Sequence, residues 1–176
     1  VSVRLKNKKC IQIKMAAEIN CVDVKGKTQL HIASQWGRVE SVKLLLPLYM
    51  DEGVEGVVAL SAQDNRGNTA LHYACRRNHF EIVRLLVEHG AELAVDNGNG
   101  ETPFFLAVLF HHAAVVRFLL ALPADVGLLR ANHMGICPIQ VCLNGKLKAA
   151  HTDQEEGAAS EESVSLLVDL ITAGAY

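Results

Sequence analysis

Short apolar stretches of helical period recur along the chain, arranged in pairs with a polar break between members. The clearest pair lies within Asp64–Ala91. Leu71 and Ala74 set apolar side chains on one face at i, i+3 spacing, which predicts a short helix. Asn78-His79 interrupts it, and Phe80 to Glu88 then offers Ile82, Val83, Leu85, Leu86 and Val87 as a second helix. Thr69 stands where its hydroxyl can cap the first helix by accepting from a free amide. Gly90 stands where a left-handed residue can end the second. Two helices this short cannot bury their apolar faces alone, so adjacent units must stack.

The pattern repeats. Aligned on the capping threonine, Gly26-Lys27-Thr28-Gln29-Leu30-His31-Ile32-Ala33 matches Gly67-Asn68-Thr69-Ala70-Leu71-His72-Tyr73-Ala74. Gly100-Glu101-Thr102-Pro103-Phe104-Phe105-Leu106-Ala107 and Gly135-Ile136-Cys137-Pro138-Ile139-Gln140-Val141-Cys142 continue the series. The cap positions are 41, 33 and 35 residues apart. An Asp or Asn precedes each leading glycine by three residues, at Asp23, Asp64, Asn97 and Asn132, which is turn chemistry. The second helices of the other units are expected around Val39, Val42, Leu44, Leu45 and Leu46, around Val115, Val116, Phe118, Leu119 and Leu120, and over Ser163–Ile171.

In these residues the chain resembles the ankyrin-repeat family, whose units open on Gly-x-Thr-Pro-Leu-His-x-Ala, continue as helix–turn–helix and close on Gly-Ala. The resemblance covers about Ala17 to Ala175, and one interval equals the 33-residue period. It implies an all-α ankyrin-repeat solenoid of stacked helix–turn–helix units with β-hairpin-like turns, a single domain overall. Residues 1–22 form a divergent N-terminal partial repeat or cap, and alternation at Cys10–Met15 fits a strand equally well. Residues 23–63 are a repeat with a loop insertion of about eight residues. Pro47 is expected to end or kink its second helix, leaving Pro47–Ser61 as a long surface loop. Residues 64–96 and 97–131 are the two plainer repeats. Residues 132–176 are a divergent repeat carrying an acidic loop insertion at Lys148–Glu162.

Composition narrows the function classes. Half the residues are hydrophobic, only 5% are aromatic, and the net charge is −2. That near-neutral balance makes nucleic acid or an anionic membrane an improbable main partner. The longest apolar runs are broken by Phe110-His111-His112 and by Arg117, well short of the roughly 20 residues of a membrane span. Five cysteines, Cys10, Cys21, Cys75, Cys137 and Cys142, read as reduced thiols of a cytoplasmic or nuclear protein. No secretory signal opens the chain, and its start at Val1 suggests a piece of something longer.

Candidate chemistry is sparse. His31 and His72 occupy the motif's histidine, where an imidazole can brace adjacent units. Phe105 and Gln140 replace it in the later units, which speaks against a shared reaction. His79, His111-His112 and Cys137-x4-Cys142 lack the compact four-ligand pattern of a zinc site. No catalytic residues, metal ligands or cofactor are expected. The leading expectation is a non-enzymatic protein-binding module, the alternative a structural or regulatory segment of a larger enzyme or channel, and a metal-binding or enzymatic protein a remote third.

The family resemblance implies binding through the turn tips and the exposed face of each first helix, which together form a concave groove. The candidate residues on that face are Gln35, Trp36, Arg76, Arg77, Leu109 and Phe110, and at the tips Lys25, Lys27, Arg66 and Asn99. Trp36, Arg77 and Phe110 would form a stripe across three units, unless Trp36 or Phe110 packs against a neighbouring unit or a loop. Lys25, Lys27, Arg66, Arg76 and Arg77 make the first half basic, which suits an acidic or acidic–aromatic segment of a protein or a solvated basic surface. Oligomeric state and partner identity are not legible.

Overall fold

A computed structural model describes residues 21–49, 60–141 and 172. Six helices fall in three pairs: α1 (Gln29–Gln35) with α2 (Val39–Tyr49), α3 (Ala70–Arg76) with α4 (Phe80–Glu88), and α5 (Pro103–Leu109) with α6 (Ala113–Leu120). A further helical turn starts at residue 138. The inner helices α1, α3 and α5 stack in order, and the outer helices α2, α4 and α6 stack behind them. No strand occurs among the described residues.

The tips before each inner helix share one geometry because each begins with Asp or Asn. Oδ1 of Asp23, Asp64, Asn97 and Asn132 accepts from the backbone N–H groups two and four residues on, at 2.8–3.0 Å. Their carbonyls accept from Gly26, Gly67, Gly100 and Gly135 at 2.8–2.9 Å, and those glycines all have φ near +74°. Successive tips are joined edge to edge: Asn65 N–H donates to Lys25 O at 3.0 Å, Gly98 to Arg66 O at 2.8 Å, and His133 to Asn99 O at 2.9 Å.

Capping sets where the inner helices start. Thr28, Thr69 and Thr102 accept from His31, His72 and Phe105 N–H through their hydroxyls. In the first two the histidine completes a capping box by accepting, at Nδ1, from the threonine N–H at 3.1 and 3.0 Å. In the fourth unit Cys137 has replaced the threonine, and Gln140 Oε1 still accepts from Cys137 N–H at 2.9 Å.

The core follows the apolar pattern. Val42, Leu46, Leu71, Ala74, Ile82, Val83, Leu86, Phe104, Val115, Val116 and Leu119 are buried between the two layers. Phe80 and Phe118 meet edge to face at 5.5 Å, tying α4 to α6. Each break between the paired helices uses a left-handed residue, Gly37, Asn78 or His111, with φ between 57° and 69°.

Two expectations for the first unit need correction. Pro47 does not end α2, which runs on to Tyr49. Pro47 is exposed, so the carbonyl of Lys43, deprived of its N–H partner, can turn to water, while Val42 and Leu46 hold the inner face. Leu44 is not an inward residue either; it is 74% exposed, about half a turn round the helix from Val42 and Leu46. The expectations for residues 1–20, for the insertion over 50–59, for the acidic loop and for Ser163–Ile171 lie outside the described residues.

Candidate functional site

The tips and the inner helices enclose two adjoining clefts of about 340 and 380 Å³. The first is lined by Lys25, Lys27, Gln35, Arg66, Arg76 and Arg77, with Asp64 and Tyr73 among its other walls. The second is lined by Arg66, Arg76, Asn97, Asn99, Glu101 and Leu106, among others. Arg66 and Arg76 border both. Seven of the ten candidate residues therefore converge. Phe110 joins them through Arg76, whose guanidinium lies over its ring at 5.3 Å. Trp36 and Leu109 are outside the two clefts, exposed at 67% and 36%.

Trp36, Arg77 and Phe110 are the C-cap residues of α1, α3 and α5, so they occupy equivalent places along the stack. Phe110 also stacks on His112 with ring centroids 6.2 Å apart. The cation that meets Phe110 is thus Arg76, one residue before the stripe's own Arg77.

The charges of the first cleft are uneven. Asp64 is its one acid. Its Oδ1 accepts from Arg66 and Asn68 N–H, and its Oδ2 accepts from the Tyr73 hydroxyl at 2.6 Å. Burial works against that charge, yet the Tyr73 hydroxyl and the two N–H groups outweigh it and hold the carboxyl below its ordinary value. Burial, with the same bond, pushes the Tyr73 phenol up. Lys27 lies over the Tyr73 ring at 4.3 Å and donates to Gln35 Oε1 at 2.6 Å, a neutral acceptor. Burial lowers its pKa, repulsion from Lys25 and Arg66 adds to that, and Asp64 opposes it.

None of Lys25, Lys27, Arg66, Arg76 and Arg77 forms an ion pair among the described residues. Away from the clefts, Lys43 pairs with Glu40, Arg84 with Glu81 and Glu88, and Arg130 with Asp96. Among the described residues, the five cations that line the first cleft thus have no acid paired with them.

Tyr73 was not singled out from the sequence as a cleft residue, and Asp64 was singled out only for its part in the turn. Tyr73 carried a usable signal, since it precedes Arg76 and Arg77 by three and four residues and so shares their face.

The histidines act as braces. His31 Nε2 donates to Asn68 O and His72 Nε2 to Glu101 O, both at 3.0 Å and both across a unit boundary. Burial lowers the pKa of each, that of His72 to about 4, so both rings are neutral at neutral pH. His79 and His112 do a related job, donating from Nε2 to Gln35 O at 3.3 Å and Arg76 O at 3.1 Å in the preceding unit. Among the described residues no group of three or more His, Cys, Asp or Glu is placed to hold a metal ion. No helix there is long and apolar enough to cross a membrane.

The four tips with a common Asx-to-glycine geometry, followed by capped helix pairs, match a known repeat. The family model for ankyrin repeats (3 copies) fits residues 49–130. These units are ankyrin repeats. Mouse ankyrin repeat domain-containing protein 63 is 30% identical over 125 residues, 70% of this chain and 31% of that protein. Human rabankyrin-5 is 38% identical over 86 residues, 48% of this chain and 7% of that protein. The Hydra vulgaris tyrosine-protein kinase HTK16 is 29% identical over 122 residues, 69% of this chain and 16% of that protein. The chain thus matches about a third or less of the length of each. Ankyrin repeats are generally protein–protein interaction modules and generally non-enzymatic.

Proposed function

We propose that this chain is a non-enzymatic binding module that seats an acidic or acidic–aromatic segment of a protein partner against its tips and inner helices. The observation that carries this reading is the set of unpaired cations around one cleft, beside the Arg76–Phe110 pair. Cations left without acids among the described residues favour a partner that brings them, and aromatic and Arg side chains dominate the energetics of many interfaces. The setting is cytoplasmic or nuclear, where a buried thiol such as Cys75 persists reduced.

The experiment is capture of partners by the full-length protein, with wild type compared with Trp36→Ala and Arg77→Glu. Both side chains are exposed, so helical content and melting stay unchanged while capture weakens. Equal capture by all three proteins overturns the assignment of this face.

A second reading is that the array serves as a structural or regulatory segment within a larger enzyme or channel. The similarity to a stretch of a tyrosine-protein kinase supports it. Sequencing the transcript on both sides of this segment, and finding a catalytic or channel domain in frame, is the outcome that reading requires.

A further inference from the structure

We infer that the first cleft recognises a phosphorylated side chain within the partner's acidic segment, and not carboxylates alone. This rests on the groove reading above and adds the chemistry of the anchoring group.

Five cations line a cleft of about 340 Å³, and its one carboxylate is already committed. Asp64 Oδ1 accepts from the backbone N–H groups of Arg66 and Asn68 and Oδ2 from the Tyr73 hydroxyl, so both oxygens are engaged by groups other than a guanidinium. Lys27 is held toward the cleft by Gln35 and the Tyr73 ring, and Arg76 is steadied by the Phe110 face. The donors are therefore partly ordered before a ligand arrives, which lowers the cost of binding.

Charge arithmetic separates the two anions. A carboxylate brings one charge and is satisfied by a single guanidinium fork. A phosphate monoester brings about two charges at neutral pH and three acceptor oxygens, enough to engage Arg66, Arg76 and Lys27 together. The second cleft differs: Glu101 stands in its wall, with Oε2 taking bonds from Asn97 and Asn99. The phosphate belongs in the first cleft, and the neighbouring residue of the segment lies across Arg66 and Arg76 toward Asn99.

The probe is a dye-labelled, Glu/Asp-flanked peptide pool about a dozen residues long. It is made with threonine, phosphothreonine or glutamate at one fixed central position. Fluorescence anisotropy against the full chain should show the phosphothreonine pool binding at least tenfold tighter than the other two. Arg66→Ala and Arg76→Ala, both exposed positions, should remove that gain with unchanged melting. Three pools bound equally, and all weakened by Arg66→Ala, overturn the phosphate inference and leave the acidic-segment reading standing. No pool bound above a neutral control overturns both. A DNA oligonucleotide of equal net charge, bound as tightly as the phosphopeptide pool and lost steeply with salt, also overturns it and marks the cleft as a nucleic-acid surface.

Discussion

His72 Nε2 donates to the carbonyl of Glu101 at 3.0 Å, and its Nδ1 accepts from Thr69 N–H at 3.0 Å. One neutral ring thereby closes the start of its own helix and holds the next unit. Burial depresses its pKa from 6.5 to about 4. Protonation would cost the Nδ1 acceptor, so the native ring resists it while the unfolded ring does not. The unfolded chain then binds more protons between pH 6.5 and about 4, and stability falls as pH falls through that window. The full stabilisation is present above 6.5. The loss attributable to His72 by pH 4 is about 3 kcal/mol, and His31, depressed in the same direction, adds to it. Urea midpoints measured from pH 7.5 to 4 should decline across this range. His72→Gln should flatten the decline, because Gln140 already shows that a glutamine can accept from the capping N–H. His72→Ala should cost about 2–4 kcal/mol at pH 7.5, from a cavity and two broken bonds.

The Tyr73–Asp64 bond makes a second, separable prediction. Tyr73→Phe removes a donor from a charged, buried acceptor and should cost about 1–3 kcal/mol. Asp64→Asn should be much milder, because Asn97 and Asn132 build the same tip from the amide oxygen. Asp64→Ala loses both tip bonds and should resemble or exceed Tyr73→Phe. The acid limb also differs from that of His72. The depressed Asp64 carboxyl gives stability that is present above the ordinary value of 3.8 and lost as pH falls further. A Tyr73→Phe protein should lose its extra acid sensitivity below pH 4 and keep the decline above it.

The repeat frame was legible because its chemistry recurs in phase. Four Asx residues, three threonine caps and paired apolar stretches agree, and each has a local cause that needs no tertiary context. Pro47 shows where local rules stop: its helix is held by Val42 and Leu46 packing inward, which no propensity records. Leu44 shows the same limit, since a run of leucines hides which one faces out. The candidate residues were legible as positions in a motif, and so was the grouping of the five cations in one half of the groove; the commitment of the cleft's acid was not. The one acid beside Arg66 and Arg76 in the first cleft, Asp64, accepts from the Tyr73 hydroxyl, a pairing nine residues apart on different elements.

The edge-to-edge joining of tips predicts unequal tolerance among glycines with positive φ. Gly67 has φ +74°, and a Cβ there would lie 2.7 Å from Gly98 N, the atom that donates to Arg66 O. Gly90 has φ +82° with open space around its missing Cβ. Gly90→Ala should cost only the left-handed backbone penalty, about 1–2 kcal/mol. Gly67→Ala should cost at least twice as much, because it also forces the second and third tips apart. Chemical denaturation of the two variants gives the comparison. Equal losses would mean that the joined tips contribute nothing to stability.

Trp36 is the one tryptophan of the chain and is 67% exposed at the C-cap of α1. Its fluorescence in the free protein should resemble that of indole in water, with strong quenching by acrylamide. Unfolding in urea should then shift the emission little, so circular dichroism has to follow stability in the experiments above. On addition of a captured partner the emission should move to the blue and the quenching should drop, because contact removes water from the ring. The same titration with Arg77→Glu should need more partner to reach the shift. A blue-shifted, poorly quenched Trp36 in the free protein would show that the ring is packed against its own chain. The stripe through Trp36, Arg77 and Phe110 would then lose its first member, while the cationic cleft at Arg66 and Arg76 would be unaffected.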